Sequence, residues 1–111
     1  CPPTVRIALP GAPATIRQHC DGDYALHWRG EVNFWLPVTS VFGSNTLWLE
    51  SEPGAGDFRP MELSAGELLR FNGYECRHYT KPNETAASRV SFDWRAIPAE
   101  LCDAAGGAVG M

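Results

Sequence analysis

Apolar and polar positions alternate along most of this chain in short runs, each closed by turn-forming residues. The segments V-R-I-A-L (5–9), A-T-I-R-Q-H (14–19), Y-A-L-H-W (24–28), E-V-N-F-W-L-P-V (31–38) and N-T-L-W-L-E (45–50) read as strands. So do F-R-P-M-E-L (58–63), E-L-L-R-F-N (67–72), E-C-R-H-Y-T (75–80) and S-R-V-S-F-D-W-R (88–95). Period-two alternation with aromatic and β-branched enrichment is the signature of half-buried strands. P-G (10–11), D-G-D (21–23), P-G-A-G (53–56), N-G (72–73) and K-P-N (81–83) supply the turns. About nine strands at this spacing predict a sandwich or barrel rather than βαβ units. No sustained helical period is present; one helical turn is expected at P-A-E-L-C-D (98–103), followed by a frayed tail.

Alternation also sorts side chains by face. In the 75–80 segment Cys76, His78 and Thr80 fall together, with Arg77 and Tyr79 opposite. In the 88–95 segment Arg89, Ser91, Asp93 and Arg95 share one face. Val90, Phe92 and Trp94 share the other, which is apolar and is expected to face a core. The polar face is either a solvated surface or the wall of a polar pocket.

Composition narrows the classes. The 111 residues make one domain, with 44% hydrophobic and 20% charged residues, as in ordinary globular chains. A net charge of −4 and a pI near 5.2 argue against a nucleic-acid or anionic-membrane partner. No apolar run reaches membrane-spanning length, and no signal-peptide pattern is visible. The chain opens on Cys1 without an initiator methionine, so a processed chain or, preferably, a fragment lacking N-terminal elements is expected. Cys1, Cys20, Cys76 and Cys102 form no CxxC pair, and reduced thiols in a cytoplasmic protein account for them most simply.

The three histidines are His19, His27 and His78. Each has an ordinary reading. His19 can be a strand-end residue beside a capped turn, His78 a satisfied core histidine, and Arg89 the partner of Asp93. His27 and Asp23 are the substitutes for His19 and Asp21 as metal ligands. Glu50 and Glu52 read as a solvated strand end, and Asp93 and Arg95 as a surface network. Trp28, Phe34, Trp35, Trp48, Phe71, Phe92 and Trp94 read as core.

Taken in order, His19-x-Asp21, His78 and Arg89-x-Ser91 have a joint chemistry. Two imidazoles and a carboxylate on one face of an octahedral iron leave three positions open. A 2-oxo acid chelates two of them, and its distal carboxylate calls for a fixed, permanently charged, bidentate arginine. The pattern H-x-D…H…R-x-S resembles that of the 2-oxoglutarate/Fe(II)-dependent oxygenases of the double-stranded β-helix superfamily. More narrowly, H-C-D-G-D-Y, E-V-N-F-W-L-P-V-T, G-S-N-T-L-W-L-E-S-E-P-G, C-R-H-Y-T-K-P-N-E-T and R-V-S-F-D-W-R resemble StrG-type proteins of streptomycin biosynthesis, over roughly residues 15–95.

That resemblance implies an all-β, cupin-like jelly roll of two antiparallel sheets over 1–97, with 98–111 a helical turn and flexible tail. It implies His19, Asp21 and His78 as iron ligands, and Arg89 and Ser91 as the clamp on 2-oxoglutarate. Asn33, interrupting an apolar strand, is expected to support a ligand or to touch the co-substrate. The expected activity is oxidation of a small metabolite with decarboxylation of 2-oxoglutarate to succinate. The competing classes are a metal-dependent cupin isomerase or epimerase acting on a sugar, which has no need of Arg89-x-Ser91, and a non-catalytic binding jelly roll.

Overall fold

A computed structural model of the chain describes residues 3–24 and 27–97. The helical turn expected at 98–103 and the tail after it lie outside the described residues. Seven strands form: β1 (Thr4–Ala8), β2 (Val32–Pro37), β3 (Leu47–Leu49), β4 (Arg59–Pro60), β5 (Leu69–Phe71), β6 (His78–Thr80) and β7 (Arg89–Ala96). All pairings are antiparallel, in a four-stranded sheet ordered β1-β7-β2-β5 and a three-stranded sheet ordered β4-β3-β6. The only helical elements among the described residues are two 3-10 turns, Asp21–Asp23 and Gly43–Asn45. This is the all-β, jelly-roll-like architecture that the alternation and the resemblance led us to expect.

The core lies between the sheets. Trp35, Val41 and Leu47 are its buried members, with Leu63, Leu69 and Phe71 packed against them. Each such side chain removed from water contributes roughly 1.5–3 kcal/mol. On β2 the inward positions are Asn33, Trp35 and Pro37, all buried. They register against Arg95, Asp93 and Ser91 of β7, so the polar face of β7 is the one turned toward the interior. The expectation for Val90, Phe92 and Trp94 is therefore reversed. They lie on the opposite face of β7 and are half-buried, while Arg89 and Ser91 are almost wholly buried.

Two expected strands do not form among the described residues. Residues 14–19 form no strand; His19 makes only an isolated bridge to His78, and Thr80 N donates to the Ile16 carbonyl at 2.9 Å. In the 24–28 segment Tyr24 caps a 3-10 turn and 27–28 lie in no strand, while 25–26 are outside the described residues. Main-chain bonding of the turn explains the difference. Asp21 and Asp23 lie in a tight turn whose amides are held from elsewhere: Asp21 N donates to Gly73 O at 2.7 Å and Gly22 N to Tyr74 O at 2.8 Å.

Loops that read as generic turns are held by buried polar side chains. Glu50 is 2% exposed, and its carboxylate accepts from Arg77 N (2.7 Å), Gly56 N (3.0 Å) and Gly54 N (3.2 Å). It is a turn clamp rather than a solvated strand end. Asn83, 1% exposed, donates to the Ala8 and Ala87 carbonyls and accepts from Thr85, fixing the loop between β6 and β7. Trp28, expected in the core, is 46% exposed.

Candidate metal centre

Three side chains from different parts of the chain converge between the sheets. Asp21 comes from the first 3-10 turn, His78 from the start of β6, and His19 is tied to His78 by paired backbone bonds. His19 Nε2 lies 3.2 Å from Asp21 Oδ1, and His78 Nε2 lies 3.6 Å from the same oxygen. The ligand atoms of all three lie within 4.8 Å of one another. Metal–ligand bonds of about 2.1 Å put neighbouring donors roughly 3.0 Å apart in an octahedron and roughly 3.4 Å apart in a tetrahedron. The two spacings, 3.2 and 3.6 Å, are close to those of donors that share one first-row metal.

The hydrogen bonds behind the rings decide which nitrogen faces the site. His19 Nδ1 lies 2.8 Å from the Arg17 carbonyl and His78 Nδ1 lies 3.0 Å from the Cys76 carbonyl. A carbonyl can only accept, so each Nδ1 carries the proton. A ring so held turns its Nε2 toward Asp21, and a cation shared by the two Nε2 atoms and the Asp21 oxygen would satisfy all three. Carbonyl-oriented imidazoles of this kind are the usual backing of metal ligands.

Asp21 is fully buried, and its second oxygen is separately occupied. Asn33 Nδ2 donates to Oδ2 at 2.7 Å and Arg95 Nε donates to it at 2.8 Å. Burial alone would push this carboxyl up; the contacts from His78, Arg95 and Asn33 outweigh it and hold Asp21 far below the ordinary carboxylate range. Asn33 and Arg95 are direct cross-strand partners, which places both donors beside one oxygen. The Asn33 amide is completed by Gly73 N, donating to Oδ1 at 3.1 Å. A β-carbon at Gly73 would collide with Asn33, so this turn needs glycine.

Other candidates fall elsewhere. Asp23 is exposed and pairs with Arg77 at 3.2 Å. His27 Nδ1 is 2.7 Å from Glu31 Oε1, and these two with Asp21 form a second convergent set. Arg95 Nε lies 2.8 Å from Asp21 and 3.9 Å from Glu31, so a guanidinium sits between the two carboxylates where a second metal would have to lie. Arg95 is thus part of the centre, and its Nη1 also lies 3.9 Å from Asp93 Oδ1, so the expected contact between Asp93 and Arg95 is present beside it. Asp93 pairs with Arg6 at 2.8 Å rather than with Arg89.

Arg89 is 1% exposed and donates from Nη1 to the Asn45 carbonyl at 2.9 Å. Burial and the nearby Arg6 charge lower its pKa. Arg89 Nε and Ser91 Oγ are buried with no partner, an uncommon condition for two donors on one strand face. A bound carboxylate would satisfy both. A cavity of about 250 Å³ opens onto His19, His78 and Arg95, with Tyr24, Trp35 and Phe71 among its aromatic walls. Arg89 and Ser91 do not reach its wall, although Arg6, directly across from Ser91 in the sheet, does.

No family model matches the chain. The streptomycin biosynthesis protein StrG of Streptomyces griseus is 38% identical over 96 residues, covering 86% of this chain and 44% of StrG. The chain therefore spans less than half the length of that relative. Among solved structures, the non-haem monooxygenase ThoJ in its nickel complex superposes with a TM-score of 0.64 at 16% identity, covering 84% of this chain and 41% of ThoJ. EvdMO1 superposes with a TM-score of 0.61 at 20% identity, covering 86% of this chain and 27% of EvdMO1. In sequence the chain is similar to StrG, and in fold to part of ThoJ and of EvdMO1.

Proposed function

We propose that the chain carries the metal centre of a non-haem iron oxygenase that uses 2-oxoglutarate to oxidise a small metabolite. The observation that carries this reading is the convergence of two histidine Nε2 atoms on one buried carboxylate oxygen, each ring held from behind by a carbonyl. His19, Asp21 and His78 would hold iron on one face and leave the opposite face to co-substrate and oxygen. Bound there, iron supplies oxygen activation coupled to decarboxylation of 2-oxoglutarate to succinate.

The chain's own residues do the rest. Arg89 and Ser91 offer the unpartnered donors for the distal carboxylate, and the permanent charge of Arg89 suits an anion in a dry site. Tyr24, Trp35 and Phe71 give the cavity an apolar wall that excludes water and orients a small substrate. The similarity to StrG, named for streptomycin biosynthesis, and the fold shared with the monooxygenase ThoJ favour an oxidative step in the making of a small metabolite. The test is oxygen-dependent conversion of 2-oxoglutarate to succinate by the iron-loaded protein. Turnover in the wild type and none in Asp21→Ala is expected. Metal binding without any succinate would favour a Lewis-acid isomerase instead.

A further inference from the structure

We infer that Arg95 is a positioning residue that makes Asp21 a one-oxygen ligand, and so sets the number of open positions at the metal. The inference rests on the metal reading above. A carboxylate has two equivalent oxygens, and one facing a dication with both free can chelate it, taking two positions. Here the two oxygens are in different hands. Oδ1 faces both histidine Nε2 atoms, while Oδ2 accepts from Arg95 Nε and Asn33 Nδ2 at 2.8 and 2.7 Å.

Arg95 is itself held in place. It lies on β7 directly across from Asn33, and a second buried carboxylate, Glu31, sits 3.9 Å from its Nε and is 6% exposed. Glu31 is in turn bonded to His27 at 2.7 Å. Turning Asp21 to chelate would pull Oδ2 off a charged donor and an amide at once. Hydrogen bonds to a charged group are among the stronger ones a protein makes. Asp21 therefore takes one coordination position, and with two histidines three of six positions stay open. Two are needed for a chelating 2-oxo acid and one for oxygen, so a second carboxylate bond would remove one of them.

The test is titration with Co(II) alone, read by the intensity and shape of its visible absorption and by affinity. Arg95→Met and Arg95→Lys are compared with the wild type, with thermal melting as the control on folding. Wild type is expected to bind one Co(II) with the weak absorption of a six-coordinate centre. Arg95→Met is expected to lose 10–100-fold in affinity and to change the spectrum, as removal of an outer-shell partner does. Arg95→Lys, keeping the charge, is expected to recover part of both. Wild-type affinity and spectrum in a folded Arg95→Met would overturn the inference and leave the metal reading intact. Failure of the wild type to bind Co(II) would overturn both. Should Arg95→Met not fold, Arg95→Gln takes its place, removing the charge at similar length: an altered affinity and spectrum support the inference and unaltered ones overturn it.

Discussion

His19 and His78 hold each other by a pair of backbone bonds, His78 N to His19 O at 2.8 Å and His19 N to His78 O at 3.2 Å. This isolated bridge sets the two rings on one side, with centroids 4.6 Å apart, and both aim Nε2 at Asp21. Two candidate ligands distant in sequence are thereby placed by main-chain geometry. Such placement is what a site needs to be ready before its metal arrives.

Removing either ring should therefore abolish tight metal binding without unfolding the sheets. His78→Ala and His19→Ala are expected to retain a cooperative melt and lose Fe(II) or Co(II) binding by calorimetry. His27→Ala should keep it, because His27 faces Glu31 and not the Asp21 oxygen that the other rings share. Loss of binding in His27→Ala alone would assign the centre to the Asp21–His27–Glu31 set.

Arg89→Ala tests the co-substrate clamp separately from the metal. Metal affinity should be unchanged, since Arg89 touches none of the three ligands. Affinity for 2-oxoglutarate on the Mn(II)-loaded protein should fall by about 3–5 kcal/mol, the cost of breaking a buried charge pair. An unchanged 2-oxoglutarate affinity would leave Arg89 only its bond to the Asn45 carbonyl, a structural role.

Gly73→Ala should damage the centre from outside it. A methyl group there strikes the Asn33 side chain, whose amide holds Asp21. Overpacking of this kind costs about 1–3 kcal/mol of stability. Metal affinity should fall along with it, measured by Co(II) titration. A stable Gly73→Ala protein with wild-type affinity would show that Asn33 is not needed to hold Asp21.

Glu50 gives the fold an acid sensitivity. The Arg77 amide, then that of Gly56, hold its pKa below the ordinary glutamate value despite burial. A depressed folded pKa contributes stability that is complete above the unfolded value, near 4.5, and lost as pH falls through the folded one. Glu50→Gln should cost about 1–3 kcal/mol at neutral pH and melt with a shallower decline below the ordinary glutamate pKa. Parallel melting-temperature profiles for the two proteins would contradict this.

Much of this was legible in the sequence because alternation is a local signal. It located β2, β6 and β7 within a few residues, and it put Arg89, Ser91, Asp93 and Arg95 on one face, where the structure keeps them. What alternation cannot supply is which face meets the other sheet, and the apolar side of β7 was the natural but wrong choice. The A-T-I-R-Q-H run looked like a strand, yet His19 bridges His78 only at one point because the following turn is anchored to Gly73 and Tyr74. The role of Arg95 was hidden by its neighbour Asp93, a ready partner in sequence. Its signal is the register that sets it opposite Asn33, a pairing visible only once β2 and β7 are side by side.

The central claim is that His19, Asp21 and His78 hold an iron that accepts 2-oxoglutarate as a chelate. The most direct measurement is an anaerobic titration of the Fe(II)-loaded protein with 2-oxoglutarate, watching the visible metal-to-ligand charge-transfer absorption. A saturable band in the wild type that is absent in His78→Ala is the result expected. Iron binding with no band, or a band of equal strength in His78→Ala, would contradict the account.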